Sequence, residues 1–446
     1  MTARQARQLP EHRGPAAWNA LLGPAPSGPE LDADTAADFV VVGAGFAGLA
    51  AARRLRQLQP GARIVVLEAG RVGEGATGRN SGFMIDLPHE LTSEDYAGAG
   101  DDRSLIALNR KAISFARETV KEYEINRDFF DPAGKINGAA SRRAERNNRA
   151  YARHLSGLGE RHEMLDARQM AEITGSAHYV SGLYTPGTVM LQPAGYIRGM
   201  AAGLRRDGVR LFENAAVTGF ARVGSDWRVA TAKAQITTPR VILAVNGFLE
   251  SFGYARGRLM QLFLFAVMTP ELTPAQLGRL GGAARWGITP SDPMGTTMRR
   301  IDGGQGGNRI VTRTCAVLRP GMRARRQDLA RASAVMQAKF DRRFPQLAGL
   351  AMQYQWAGHL CLSLNGVSVA RELEEGVISA CVQNGLGTTR GTLTGIAAAE
   401  VACGVPSEIR AYFAQQDRPG RLPPQPLREI GANAVLRWKE WKARAE

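Results

Sequence analysis

The stretch Asp38-Phe39-Val40-Val41-Val42-Gly43-Ala44-Gly45-Phe46-Ala47-Gly48 decides how the rest of the chain is read. A short apolar run of mostly β-branched residues forms a strand and breaks directly into a glycine-rich turn. Leu49 to Leu58 reads as a helix, Gly61 ends it, and Arg63-Ile64-Val65-Val66-Leu67 makes a second strand closing on Glu68. The result is a complete βαβ unit. Gly43 permits the tight turn, Gly45 lets backbone approach a pyrophosphate, and Gly48 lets helix and strand pack closely. The helix N-terminus then faces the phosphates. Glu68 is placed to accept hydrogen bonds from an adenosine ribose and would repel a 2′-phosphate, so a dinucleotide without that phosphate is expected.

At 446 residues the chain is long enough for two domains with substantial cores. Its net charge of +16 comes from basic residues spread along the whole length with no nucleic-acid-binding motif beside them. No nucleic-acid partner is therefore expected, and an electropositive funnel for an acidic substrate is the functional alternative. Cys315, Cys361, Cys381 and Cys403 lack paired metal-ligand spacing, so no metal site is expected and the thiols suit a cytoplasmic protein. Residues 1–13 lack an apolar signal segment, and the apolar run Leu259 to Met268 is too short to span a bilayer.

After Glu68 the chain reads Ala69-Gly70-Arg71-Val72-Gly73-Glu74-Gly75-Ala76-Thr77-Gly78-Arg79-Asn80-Ser81-Gly82. A nicotinamide enzyme has no need of a second small-residue loop here, whereas an extended FAD needs backbone to run closely past its ribityl chain and ring. The stretch resembles the D-amino-acid oxidase-like flavoproteins, in the branch of glycine oxidase, sarcosine oxidase and gamma-glutamylputrescine oxidase. Thr77 stands where that family has a Ser, and Ser81 where it has the first of two late glycines.

The resemblance continues through Leu191-Gln192-Pro193-Ala194-Gly195-Tyr196, which looks like the family's entry into the helix before the adenine-contacting strand, with Val217 at the adenine position. Val241 to Asn246-Gly247 is like the strand ending beneath the flavin. Asn384-Gly385-Leu386-Gly387-Thr388-Thr389, followed by a helix from about Thr392 to Cys403, matches the loop and helix start that face the flavin pyrimidine. The resemblance thus implies FAD held by Gly43, Gly45, Phe46, Ala47, Gly48, Glu68, Ala69, Gly75, Ala76, Thr77, Arg79, Asn80, Ser81 and Gly82. Val217, Asn246, Gly247, Gly385, Leu386, Gly387, Thr388 and Thr389 complete the set.

The expected fold class is α/β: a Rossmann-type FAD-binding domain, with an interleaved mixed-sheet substrate domain of α+β character. Residues 36–90, 190–250 and 356–425 are assigned to the first, 91–189 and 251–355 to the second. Residues 1–35, rich in proline including Pro24, Pro26 and Pro29, read as an extended arm, and 426–446 as a C-terminal helix. That helix is basic and aromatic through Trp438 and Trp441; packing on the protein's own surface is expected over membrane contact.

The resemblance implies oxidation of a primary or secondary amine or amino acid by hydride transfer to flavin N5, with hydrolysis of the imine and oxygen or another acceptor taking the electrons. The protein need supply position and field. Arg300, aligned on the family's roof strand, is the expected carboxylate clamp, preferred over Arg299 for the turn that follows. His359 falls where relatives approach the flavin and is expected to position the ring or deprotonate an ammonium. Cys361 invites comparison with covalent flavin linkage, yet its spacing differs and noncovalent FAD is expected. Two other classes share the first βαβ unit or the cofactor: a hydroxylase-type monooxygenase, disfavoured by Asn384-Gly385 where a Gly-Asp pair is usual, and a flavin-binding electron-transfer subunit.

Overall fold

A computed structural model describes residues 3–25, 28–88, 102–292 and 294–446. Pro26 and the domain boundary drawn between residues 90 and 91 lie outside the described residues.

The opening motif folds as a strand, Phe39–Val42, running into a helix, Phe46–Leu58, and a parallel strand, Ile64–Leu67. These strands belong to a six-stranded sheet in the order Arg210–Phe212, Ile64–Leu67, Phe39–Val42, Val241–Leu243, Val377–Cys381, Val369–Glu374. The first five are parallel and the last is antiparallel. A parallel sheet must bury both faces, which explains continuous apolar runs instead of alternation. Phe39, Val41, Ile64 and Val66 enter one core with the helices Phe46–Leu58 and Thr389–Ala402. Val40, Val42, Val65 and Leu67 enter another, formed with Phe220, Trp227 and Phe252.

The second core is closed by a five-stranded sheet whose two edges come from the N-terminal segment. Ala3–Gln5 pairs with Gly219–Val223, and Thr35–Ala36 pairs with Gln235–Thr238. The stretch read as an extended arm thus begins and ends in edge strands of this layer, too short for periodicity to reveal them.

The roof is an eight-stranded sheet in the order Tyr354–Ser363, Leu259–Met268, Arg309–Leu318, Thr297–Ile301, Trp286–Pro290, Lys135–Ala139, Ser181–Thr185, Glu163–Asp166. Only the pair Trp286–Pro290 with Lys135–Ala139 is parallel. The strand Tyr354–Ser363 pairs with Leu259–Met268 along its whole length. The division drawn at residue 356 therefore falls inside a roof strand, and the chain leaves the roof after Ser363. Chain segments cross several times between the six-stranded sheet and the roof, leaving a cavity at the carboxyl ends of the parallel strands.

Candidate functional site

That cavity opens at the point where the sheet order reverses. Phe39–Val42 has Ile64–Leu67 on one side and Val241–Leu243 on the other, the position at which open α/β sheets bind ligands. Gly43 has φ +102°, and a Cβ there would lie 2.7 Å from the Ala244 carbonyl oxygen. A Cβ on Gly48 would lie 1.8 Å from the carbonyl oxygen of Gly43, so the helix can sit this close to the turn only as glycine. Gly45, Phe46 and Ala47 line the cavity, while Gly48 stays behind it as a packing residue.

Glu68 also lines the cavity. Its Oε2 accepts from the Ala44 amide at 2.7 Å and its Oε1 from the Gly70 amide at 3.2 Å. Burial raises the carboxyl's pKa, and these amides with that of Ala69 oppose the rise. A carboxylate offers about four lone-pair positions, so acceptors remain for a ribose.

The small-residue loop turns through Ala76–Arg79, and Ala69, Gly75, Ala76, Thr77, Arg79, Asn80 and Ser81 all reach the cavity. Arg79 also has a structural task. Its Nε donates to the Glu74 carbonyl at 2.7 Å, and one terminal nitrogen donates to the carbonyls of Arg13, Gly14 and Ala357 at 2.9 to 3.2 Å. It ties loop, N-terminal segment and roof together, and burial lowers its pKa to about 10. Trp18 and Trp356 donate to the carbonyls of Asn80 and Arg79 at 2.8 and 3.0 Å, holding the loop from both sides. Gly82 does not line the cavity; a Cβ there would meet Arg299 and the Leu191 carbonyl.

Val217 and Asn246 line the cavity, and Gly247 sits behind, close to Gln261 and His359. Asn246 adopts φ 48°, and its side-chain oxygen is buried without a hydrogen-bond partner. An orphaned acceptor at this place needs an external donor. At the far wall Gly385, Leu386, Gly387 and Thr388 line the cavity. Thr388 and Thr389 donate their hydroxyls to the carbonyls of Phe83 and Ile85 at 2.6 and 3.0 Å, so Thr389 anchors the loop from outside the cavity. The helix begins at Thr389, three residues earlier than expected, and carries no side-chain cap. Its amide end is thus available to an anionic group.

The roof supplies Leu264, Thr289, Thr297, Arg313 and His359. Arg300 is not among them. Thr297 and Arg299 point to one side of their strand, Met298 and Arg300 to the other, and the Arg300 guanidinium donates to the Gly281 carbonyl. Arg299 is 1% exposed; it donates to the carbonyls of Ser81 and Leu191 and to Gln305 Oε1 at 2.9 Å. Its guanidinium stacks 5.1 Å from the Trp18 ring centre, and burial lowers its pKa to about 9. The roof arginine that lines the cavity is Arg313, paired in register with Thr297 and donating to its hydroxyl at 3.0 Å. Behind Thr289, Lys135 is fully buried against Asn137 and Thr289, with a pKa lowered by burial to about 8.

His359 lies between the rings of Phe248 and Phe263, with centroids 5.1 and 5.2 Å away. Gln261 donates to the Gly247 carbonyl and to Glu250, so its oxygen is the acceptor facing His359 Nε2 at 3.0 Å. The proton of the neutral imidazole is thereby placed on Nε2. Burial, with His12 nearby, lowers the pKa to about 4. Cys361 also faces the cavity, but burial pushes its thiol well up, away from the thiolate that linkage would require.

The N-terminal segment contributes Gln8, Leu9, Pro10 and His12 to the lining, which no motif announced. Among the described residues no cluster of His, Cys, Asp and Glu is arranged for a metal, and no helix is long and apolar enough to cross a membrane.

Known proteins resemble this chain in sequence and in fold. Gamma-glutamylputrescine oxidoreductase of Escherichia coli is 26% identical over 389 residues, 86% of this chain and 87% of its own. A Haemophilus influenzae protein named Probable oxidoreductase OrdL is 29% identical over 216 residues, 48% of this chain and 50% of its own. The chain thus spans about half the length of that relative. Among solved structures, glycine oxidase from Geobacillus kaustophilus superposes with a TM-score of 0.70 at 16% identity, over 87% of this chain and 100% of that one. Residues 38–401 match the family described as FAD dependent oxidoreductase. The glycine cradle, the acid lining the cavity and the orphaned Asn246 acceptor fit an FAD, and the chain belongs to the FAD dependent oxidoreductase family.

Proposed function

We propose that the chain oxidises the C–N bond of a primary or secondary amine bearing a carboxylate, an amino acid or N-substituted amino acid, water then hydrolysing the imine. Bound FAD supplies the redox chemistry by accepting a hydride equivalent from the substrate carbon. The observation that carries the reading is Arg313, which brings a cation into the cavity beside the hydroxyls of Thr297 and Thr289. Phe83, Ile85, Leu264 and Leu386 line the same cavity with apolar surface. A planar guanidinium binds both oxygens of a carboxylate and so fixes the substrate's direction. Lys135 behind Thr289 adds positive potential at the same end.

His359 acts as a positioning residue. With a pKa of about 4 it is too weak a base to take a proton from an alkylammonium. Its Nε2–H instead steadies Gln261, which holds the Gly247 turn beside Asn246. The names of the relatives support amine nitrogen as the reacting centre, since one is called a gamma-glutamylputrescine oxidoreductase and another a glycine oxidase.

The test is loss of flavin absorbance without air on mixing with amines and amino acids. Bleaching by carboxylated amines is expected. Bleaching by reduced nicotinamide alone would overturn the proposal in favour of a monooxygenase.

A further inference from the structure

We propose that the helix Leu427–Lys442 seats the protein on an anionic membrane surface through an outward-facing apolar stripe. This goes beyond the oxidation just described and does not depend on which amine is used.

Leu427, Ile430, Val435, Trp438 and Trp441 are 66, 64, 51, 50 and 60% exposed. The other exposed positions of the helix are Gly431 and Ala434, so every exposed residue from 427 to 442 is apolar. Spacings of three and four place them along one side. An ordinary surface helix has the opposite arrangement.

The reason lies in the polar face, which completes the roof. The strand Arg309–Leu318 is paired with Thr297–Ile301 only as far as Arg313. Beyond that point Asn433 accepts from the Leu318 amide at 2.9 Å and donates to its carbonyl at 3.2 Å. Glu440 accepts from the Ala316 amide at 3.0 Å. Helix side chains thus take the place of a neighbouring strand, and the apolar side is turned outward.

Charge selects the occupant. The helix's two acids point inward, Glu429 to Arg319 at 2.9 Å and Glu440 to Arg331 and Arg437. Lys442 and Arg444 sit 4.6 and 4.5 Å from the ring centres of Trp438 and Trp441, and Arg428 and Lys439 flank the stripe. A second copy would bring these cations against their equivalents, within a chain already at +16. Anionic headgroups complement them, and tryptophan beside a basic side chain suits the depth of the headgroups.

The holoenzyme is sedimented with phosphatidylcholine vesicles holding about 30% phosphatidylglycerol, and with phosphatidylcholine alone, in about 0.1 M salt. Binding to the anionic vesicles and a blue shift of tryptophan emission are expected. The double variant Trp438→Ser/Trp441→Ser should lower the partition coefficient by at least about ten-fold, with FAD content unchanged because neither residue lines the cavity. The pair Lys442→Glu/Arg444→Glu should abolish the preference for anionic vesicles. Failure to bind them, or binding that survives loss of both tryptophans, overturns the proposal. So does a wild-type dimer in solution that the tryptophan variant converts to monomer, since the stripe would then belong to a second copy.

Discussion

Replacing Glu68 by Gln separates a carboxylate that recognises a ribose from one that only shapes a turn. In the native chain its two oxygens accept from Ala44 at 2.7 Å and Gly70 at 3.2 Å. Gln keeps size and shape but offers one oxygen, so its NH2 is set against one of these amides. A donor left unsatisfied in this buried place costs about 1–3 kcal/mol. That loss falls on the protein with or without FAD. A ribose hydroxyl that bonded an ionised acceptor loses a further ~1 kcal/mol or more when the acceptor becomes neutral. If the turn loosens in both states, binding feels mainly the second loss plus some of the first, about 2 kcal/mol and ~30-fold in Kd. Titration of apoprotein with FAD, followed by flavin fluorescence quenching, gives Kd; thermal unfolding of the apoprotein gives the other contribution. An unchanged Kd together with a lowered Tm would refute the ribose assignment and leave Glu68 as a structural residue.

Arg313→Met is expected to raise KM about 30-fold or more for carboxylated amines, the value of one charge-assisted pair, and only a few-fold for neutral ones; equal effects count against the clamp. Arg300→Met, whose guanidinium lies on the other side of the strand, should leave the KM ratio between those substrates unaltered in steady-state assays, and a selective loss would restore the first expectation. Acidification from pH 6.5 to about 4 is expected to destabilise the fold through His12, His178 and His359, all lowered from 6.5 to about 4 mainly by burial. The unfolded chain takes up protons in that window while the native imidazoles stay neutral, so their contribution is present above pH 6.5 and is lost as pH falls. Glu446, pushed up to about 7 by burial, acts in the opposite sense over an overlapping range. The measurement is therefore the difference in Tm-against-pH slope between wild type and His359→Asn, which should be shallower; identical slopes would remove His359 from the account.

The nucleotide cradle was legible because its constraints are local. A Cβ on Gly48 fails against a carbonyl only five residues away, so sequence spacing alone encodes the contact. The loop from Ala69 to Ser81 follows the same logic, since its small residues line the cavity in one continuous run of chain. What the sequence concealed depends on long-range pairing. Ala3–Gln5 finds its partner strand more than two hundred residues later, and three residues carry no period. Arg79 reads as a cofactor contact when taken with its neighbours. Only tertiary placement shows that it also donates to the carbonyls of Glu74, Arg13, Gly14 and Ala357.

Arg299, Arg300 and Arg313 show why a motif names a strand more easily than a side chain. Arg299 and Arg300 are adjacent, so they must lie on opposite sides, and which one faces the cavity follows from register. The register pairs Thr297 with Arg313 and Arg299 with Val311, placing these four on the cavity side. Arg299 is then drawn under Trp18 and held by backbone carbonyls, whereas Arg313, on the neighbouring strand, lines the cavity. A one-residue slip between the strands would exchange Arg299 for Arg300, and no feature of Thr297-Met298-Arg299-Arg300 by itself opposes the slip. What opposes it is the opposite face, where Met298, Trp286, Ile288 and Ile310 are each 3% exposed or less. A slip would turn Met298 toward the cavity and set Thr297 and Arg299 among Trp286, Ile288 and Ile310 in place of Met298 and Arg300, so the choice of clamp is made by the core on the other side of the sheet.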